Sequence, residues 1–214
     1  MVRKIIKLIL LRRAKVQMLK NATFQGINHR ITPFSRVSLT DGAKKTQVIL
    51  KDGCWPQGQI CVQSGGIVIM HEHSKIDTST TIQCVNRVEI GAYSSVAINT
   101  IICDNNNHPI NPEYRKKMRL SDYNSEMRLW KHSANAPIII GKNCWIGSNV
   151  RIGKGITIGD NSIVAACSVV TKDVPANCIV AGNPAKVVKT DIDQMHYPTS
   201  SPEFNEYIKM KDKE

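Results

Sequence analysis

Aromatic side chains are scarce in this 214-residue chain: three Phe, five Tyr and three Trp, 5% in all. Nucleic-acid binders stack bases on aromatic platforms beside a basic face. The scarcity therefore argues against nucleic acid as a partner, despite a formal charge of +12. The seven cysteines form no C-x-x-C pair, and their number is odd. That pattern excludes a secreted-type disulfide framework and points to free, buried thiols in the reducing cytoplasm. Long apolar runs are missing too. Ile5, Ile6 and Leu8–Leu11 are split by Lys7 and closed by Arg12–Arg13. The stretch is too short to span a bilayer and lacks a signal-type cleavage region.

Acidic residues are absent from the first forty positions, which carry nine Lys or Arg and leave only +3 for everything from Asp41 onward. The basicity thus belongs to one end. Residues 1–36 read as a basic N-terminal segment containing a short helix. Two readings stand for Met1–Lys20: an amphipathic helix packed on the body, or a helix lying on an anionic membrane surface, at the inner membrane face.

What is present is a repeat. Ile140, Ile146, Ile152, Ile158, Val164 and Val170 recur every sixth residue, and Gly follows the first four. Two residues before each stand Ile138, Cys144, Val150, Ile156, Ser162 and Ser168, all apolar or small. Six residues advance an α-helix by about 600°, so a helix would scatter these positions over different faces. Short strands joined by tight corners keep them all inward, and stacked turns bury a continuous core. The same period reads Thr78, Cys84, Ile90, Val96 and Ile102 upstream, and more faintly Leu50, Pro56, Val62 and Val68, with about four residues inserted between the registers. The interval from Ile102 to Ile140 is not a multiple of six, so 103–137 is predicted to be a loop thrown out of the coil. The pattern closes near Val180, and 190–214 reads as a polar tail with a short helix after Pro202.

The run IGKNCWIGSNVRIGKGITIGDNSIVAACSVVTKDVPANCIVAGNPAKVVK, residues 140–189, resembles the hexapeptide-repeat acyltransferases. It is most similar to the maltose, galactoside and nodulation-factor acetyltransferases and to the O-acetyltransferases of surface-polysaccharide synthesis. The segment HPINPEYRKK, 108–117, resembles the His-Pro loop of the same group. The resemblance covers roughly residues 48–189. It implies an all-β fold, a left-handed parallel β-helix over 37–189, assembled as a homotrimer with sites between neighbouring subunits. It also implies acetyl-CoA as co-substrate, no metal, and a sugar or glycan precursor as acceptor.

The implied site follows residue by residue. Deprotonating a hydroxyl as it attacks a thioester suits a neutral imidazole, and His108 matches the His-Pro motif as general base; the competing reading is a loop histidine that caps a turn. The developing oxyanion needs a preorganised donor, for which the resemblance offers the backbone N–H of Ser148. Trp145, Ala165 and Ala166 match positions along the pantetheine arm. Thr171, Lys172, Lys186 and Lys189 match positions near the nucleotide and phosphates. Asp77 stands where the sugar enzymes place an acceptor-contacting Asn, a departure that suggests a different acceptor. Cys103, five residues before His108, raises a covalent acyl-enzyme as an alternative to direct transfer.

Two further alternatives remain at this point. One is an N-acetyltransferase acting on an amino sugar. The other is a zinc hydrase like the gamma-class carbonic anhydrases, for which His73 and His108 have a suitable interval but the third position is Glu113.

Overall fold

The computed structural model describes residues 2–195 and 202–211. Its centre is a parallel β-helix with three flat faces. The first face stacks Thr23–Phe24, Val48–Leu50, Ile67–Met70, Arg87–Ile90, Ile138–Ile140 and Thr157–Ile158. The second runs from Trp55–Pro56 through Lys75–Ile76, Ser95–Val96, Trp145–Ile146 and Ile163–Val164 to Ile179–Gly182. The third runs from Arg36–Thr40 through Gln59–Gln63, Thr81–Cys84, Ile101–Cys103 and Arg151–Ile152 to Val169–Val170. Every neighbouring pair is parallel except the last, where Ala185–Lys189 folds back antiparallel on Ile179–Gly182.

The register explains the six-residue period. Ile140 lies on Ile158, Ile146 on Val164 and Ile152 on Val170, so three hexapeptides make each coil. These six side chains are at most 1% exposed. The small residues two positions earlier are buried as well, and their polar groups are paired: the Ser162 hydroxyl donates to the Pro175 carbonyl at 2.6 Å. Corners turn on residues at positive φ, of which Asn is the commonest type, including Asn99, Asn143, Asn149, Asn161 and Asn177. Asn tolerates the left-handed region. Stacked one above another, the corner amides also bond across coils, Asn143 to Asn161 at 3.1 Å and Asn161 to Asn177 at 2.8 Å.

The upstream coils are wider than the period suggests. Ile76 lies on Val96 and Met70 on Ile90, twenty residues apart, so the extra length is spread as two residues per coil rather than four in one place. The inward residue of that register is consequently Ile76, fully buried, and not Thr78, which is partly exposed at the corner. The ladder also begins earlier than residue 37, because Thr23–Phe24 already pairs with Ile49–Leu50.

Helix α1, Val2–Asn21, closes the N-terminal end. Ala14 and Met18 bury against the coil, and Ala22 follows them. The exposed edge of Arg36–Thr40 would leave backbone groups unpaired. The Gln17 carboxamide meets both polar groups of Val37, accepting from its N–H at 3.1 Å and donating to its carbonyl, which Asn21 Nδ2 also reaches at 2.9 Å. No helix among the described residues is long and apolar enough to cross a membrane. Past the coil, Ile192 packs back with its N–H on the Asn177 carbonyl, and a C-terminal helix spans Pro202–Lys211; the rest of the tail lies outside the described residues.

Candidate active site

The predicted excursion is present, and its foot is tied shut. Strand Ile101–Cys103 is its coil's part of the third face, and the chain resumes the first face at Ile138–Ile140. Between them Asn105 bridges Asn135, the Asn106 N–H reaches Ala134, and the Ala136 N–H reaches Asp104. Asp104 is fully buried. Its carboxylate accepts from the N–H groups of Val85 and Asn86 and from the Asn105 amide, at 2.8–3.1 Å. This anion anchors the loop to the previous coil. Helix α2, Pro112–Leu120, then forms within the excursion; Asn111 caps it by accepting from the N–H groups of Glu113 and Tyr114.

His108 stands between that foot and α2, exposed, with its backbone N–H on the Asn106 carbonyl at 2.7 Å. A residue held by a braced backbone with its ring in solvent can meet a ligand. Cys103, by contrast, is only 4% exposed and donates to the Asn105 carbonyl. Burial pushes its thiol up, which disfavours the thiolate an acyl-enzyme needs. All seven cysteines are free.

Next to the foot lies a cavity of about 370 Å³, lined by Asn105–Asn107 of the loop, Arg151 and Lys154 of one coil and Thr171 of the next. Thr171 and the exposed Lys172 follow Val169–Val170, so they sit on the same edge of the third face as the loop.

The other predicted residues lie elsewhere. Trp145 is 59% exposed on the second face, in one outward row with Ile163, Ile179 and Lys189. Lys186 pairs with Ala181 on the same terminal ribbon. Ala165 and Ala166 turn the corner after Ile163–Val164, and Ala166 presses on Gly147 so closely that a Cβ there would stand 2.6 Å from the Ala166 nitrogen. This row offers an apolar strip ending in cations, suited to a long arm that carries phosphates.

Ser148 occupies that corner too. Its carbonyl accepts from Cys167, and its N–H donates to no acceptor among the described residues. Asp77 lies on the same corner two ladder steps away, about 10 Å along the axis. Its carboxylate meets Lys75 at 2.9 Å and the Thr78 N–H at 2.9 Å. Partial burial opposes its charge, but these two bonds and the Lys75 charge outweigh it and hold the carboxyl below its ordinary range.

One chain therefore does not gather all the predicted residues. The coil brings Thr171 and Lys172 to the His108 loop, while Ser148, Trp145, Ala165, Ala166, Asp77, Lys186 and Lys189 gather beyond the opposite edge of the third face or on the second. The zinc reading gains nothing within a chain: His73 stacks on Tyr93 at 5.4 Å, and no cluster of three metal ligands exists among the described residues. Sequence reasoning missed Arg151 and Lys154. The only available signal was a charged residue on either side of inward Ile152, which looks like any solvated outward position.

Comparison with known proteins bears on the class. The model of the bacterial transferase hexapeptide (six repeats) matches residues 137–172. Galactoside O-acetyltransferase of Escherichia coli strain K12 is 38% identical over 92 residues, 42% of this chain and 39% of that protein. The putative lipopolysaccharide biosynthesis O-acetyl transferase WbbJ of the same strain is 29% identical over 124 residues, 58% of this chain and 61% of that protein. The chain thus spans less than two thirds of both. Among solved structures, AntD, an N-acyltransferase from Bacillus cereus in complex with dTDP and 3-hydroxybutyryl-CoA, superposes with a TM-score of 0.60 at 16% identity, over 94% of this chain and 96% of that one. The fold is the left-handed β-helix, and the resemblance to hexapeptide-repeat acyltransferases holds.

Proposed function

We propose that the chain is an acetyl-CoA-dependent O-acetyltransferase acting on a sugar or glycan precursor by direct transfer. The observation that carries this reading is the exposed His108 on a loop whose foot is fixed by buried Asp104, beside a cavity that Thr171 shares. Similarity to two O-acetyltransferases supports the reaction class.

In this reading His108, neutral, takes the proton of the acceptor hydroxyl as that oxygen attacks the thioester carbonyl. The Ser148 N–H receives the negative charge that develops on the carbonyl oxygen. Protonated His108 then returns its proton to the departing thiolate sulfur, leaving an acetyl ester and a free thiol. Trp145, Ala165 and Ala166 line the arm of the donor, and Lys172, Lys186 and Lys189 meet its phosphates. Asp77 accepts a hydrogen bond from the acceptor.

His108 and Ser148 lie at opposite edges of one face, so the reading needs a neighbouring copy to complete each site. A homotrimer supplies it. The free thiols suit the cytoplasm, and α1 suits contact with its membrane surface. Ile5, Leu8, Ile9, Val16 and Leu19 are 48–64% exposed, away from the buried Ala14 and Met18 and among seven Lys or Arg with no acid.

The test is acetyl-CoA thiol release against a panel of sugars, amino sugars and sugar nucleotides. His108→Ala should fold with an unchanged melting temperature and lose about 10²–10⁴ in turnover, the span of general-base assistance. Turnover near wild type in that variant overturns the assignment.

A further inference from the structure

The cavity at the foot of the excursion has a chemistry that the proposed mechanism leaves unused. Arg151 is exposed and Lys154 half-buried, and both line it. Neither has a carboxylate partner among the described residues, and no carboxylate lines the cavity. The two side chains thus present unpaired positive charge to one concave space. The surrounding polar groups sort themselves. The Asn105 carboxamide is already committed, donating to Asp104 and accepting from the Asn107 N–H. The Asn107 amide points to Gln83. The Asn106 carboxamide and the Thr171 hydroxyl have no partner among the described residues, and both stand on the rim. Guanidinium, ammonium, carboxamide and hydroxyl together are a donor set for an oxyanion.

The positions arise from three separate parts of the chain. Ile101 lies on Arg151 and Arg151 on Val169 in the third-face ladder, so the loop, Arg151 and Thr171 meet at one edge only because their coils are stacked. Lys154 follows inward Ile152 at the corner.

We propose that this cavity is an oxyanion-binding site, with Arg151 and Lys154 as its cationic ligands and Asn106 and Thr171 as neutral donors, taking a phosphate or carboxylate group. The identity of the anion rests on the proposed reaction, since either substrate could carry it: a phosphate of the donor, or an acidic group on the glycan acceptor. The site itself does not rest on that reaction.

Phosphorus NMR titration with inorganic phosphate tests the site without any turnover. Wild type should bind phosphate with an affinity that falls as ionic strength rises. The double variant Arg151→Gln, Lys154→Gln should weaken it at least tenfold, while Lys44→Gln, Lys45→Gln, on the exposed surface, should not. Calorimetry with coenzyme A and with glucuronate then separates the sources. A parallel tenfold loss for coenzyme A assigns the anion to the donor, and one for glucuronate assigns it to the acceptor. Absence of phosphate binding in wild type, or equal binding in the double variant, overturns the proposal. His108→Ala should keep phosphate binding, so failure of acetyl transfer and failure of this site are read independently.

Discussion

Asp104 shows how one residue turns a repeat into a platform. Its carboxylate is buried but surrounded by N–H donors, the arrangement in which burial of a charge is tolerated. Replacing it with Asn would aim an NH₂ at donors or leave one of them unmet. Asp104→Asn should therefore cost about 3 kcal/mol, the penalty for breaking charged hydrogen bonds and stranding a buried donor. For a chain of this length that is a fall in melting temperature of roughly 6–12 °C, measurable by calorimetry. Activity per folded molecule should fall too, because the same bonds hold the backbone that presents His108. A melting point unchanged within about 1 °C would remove the anchoring role. Asp104 was visible in the sequence only as a loop residue. Its partners at Val85 and Asn86 are one coil away in space, and no local pattern encodes that.

At the scale of elements, α1 has two halves with different jobs. The C-terminal half ends the β-helix: Met18 covers the first coil, and Gln17 pairs the edge that Val37 would otherwise leave open. Residues 2–13 carry most of the exposed aliphatics and five of the seven basic side chains. The two separate experimentally. Gln17→Ala should lower thermal stability by about 1–2 kcal/mol through an unmet edge, leaving vesicle binding intact. Removal of residues 2–13 should leave the melt nearly unchanged and abolish flotation with phosphatidylserine vesicles, while wild type floats and releases in high salt. Wild type that ignores such vesicles would dismiss the membrane role. The helix itself was legible from its composition, but Gln17 as a surrogate strand was not, because that use depends on where the open edge falls. The repeats divide in the same way. From Ile140 to Val170 the eighteen-residue coil reads directly, and the last turn, which sets Val164 against Val180, is two residues shorter. Upstream, longer strands such as Thr81–Cys84 and Arg87–Ile90 add two residues per coil, so the inward position is Ile76 where a fixed period of six selects Thr78.

At the scale of the whole molecule, the arrangement of the candidate site argues for assembly. The excursion leaves the third face at Cys103, whereas Ser148 enters it ahead of Arg151, and the two strands are stacked in parallel. The proposed base and oxyanion donor thus flank the face rather than meet on it, and in that reading a site containing both joins two copies. That relation was not legible from spacing; only the resemblance implied it. A mixing experiment decides the matter. His108→Ala removes the proposed base, and Ser148→Pro removes the N–H that a side-chain change would spare. Each alone should be nearly inactive while sedimenting as a trimer. Unfolded together in equal amounts and refolded, they should form a population of trimers in which about one site in four overall, one in each mixed trimer, pairs an intact His108 with an intact Ser148 from the neighbour. Activity should recover to about a quarter of wild type, and should not recover when the two folded variants are mixed without exchange. If refolded mixtures stay inactive while the mixed trimers are demonstrably present, each site belongs to a single chain, and His108 must find its oxyanion donor somewhere other than Ser148.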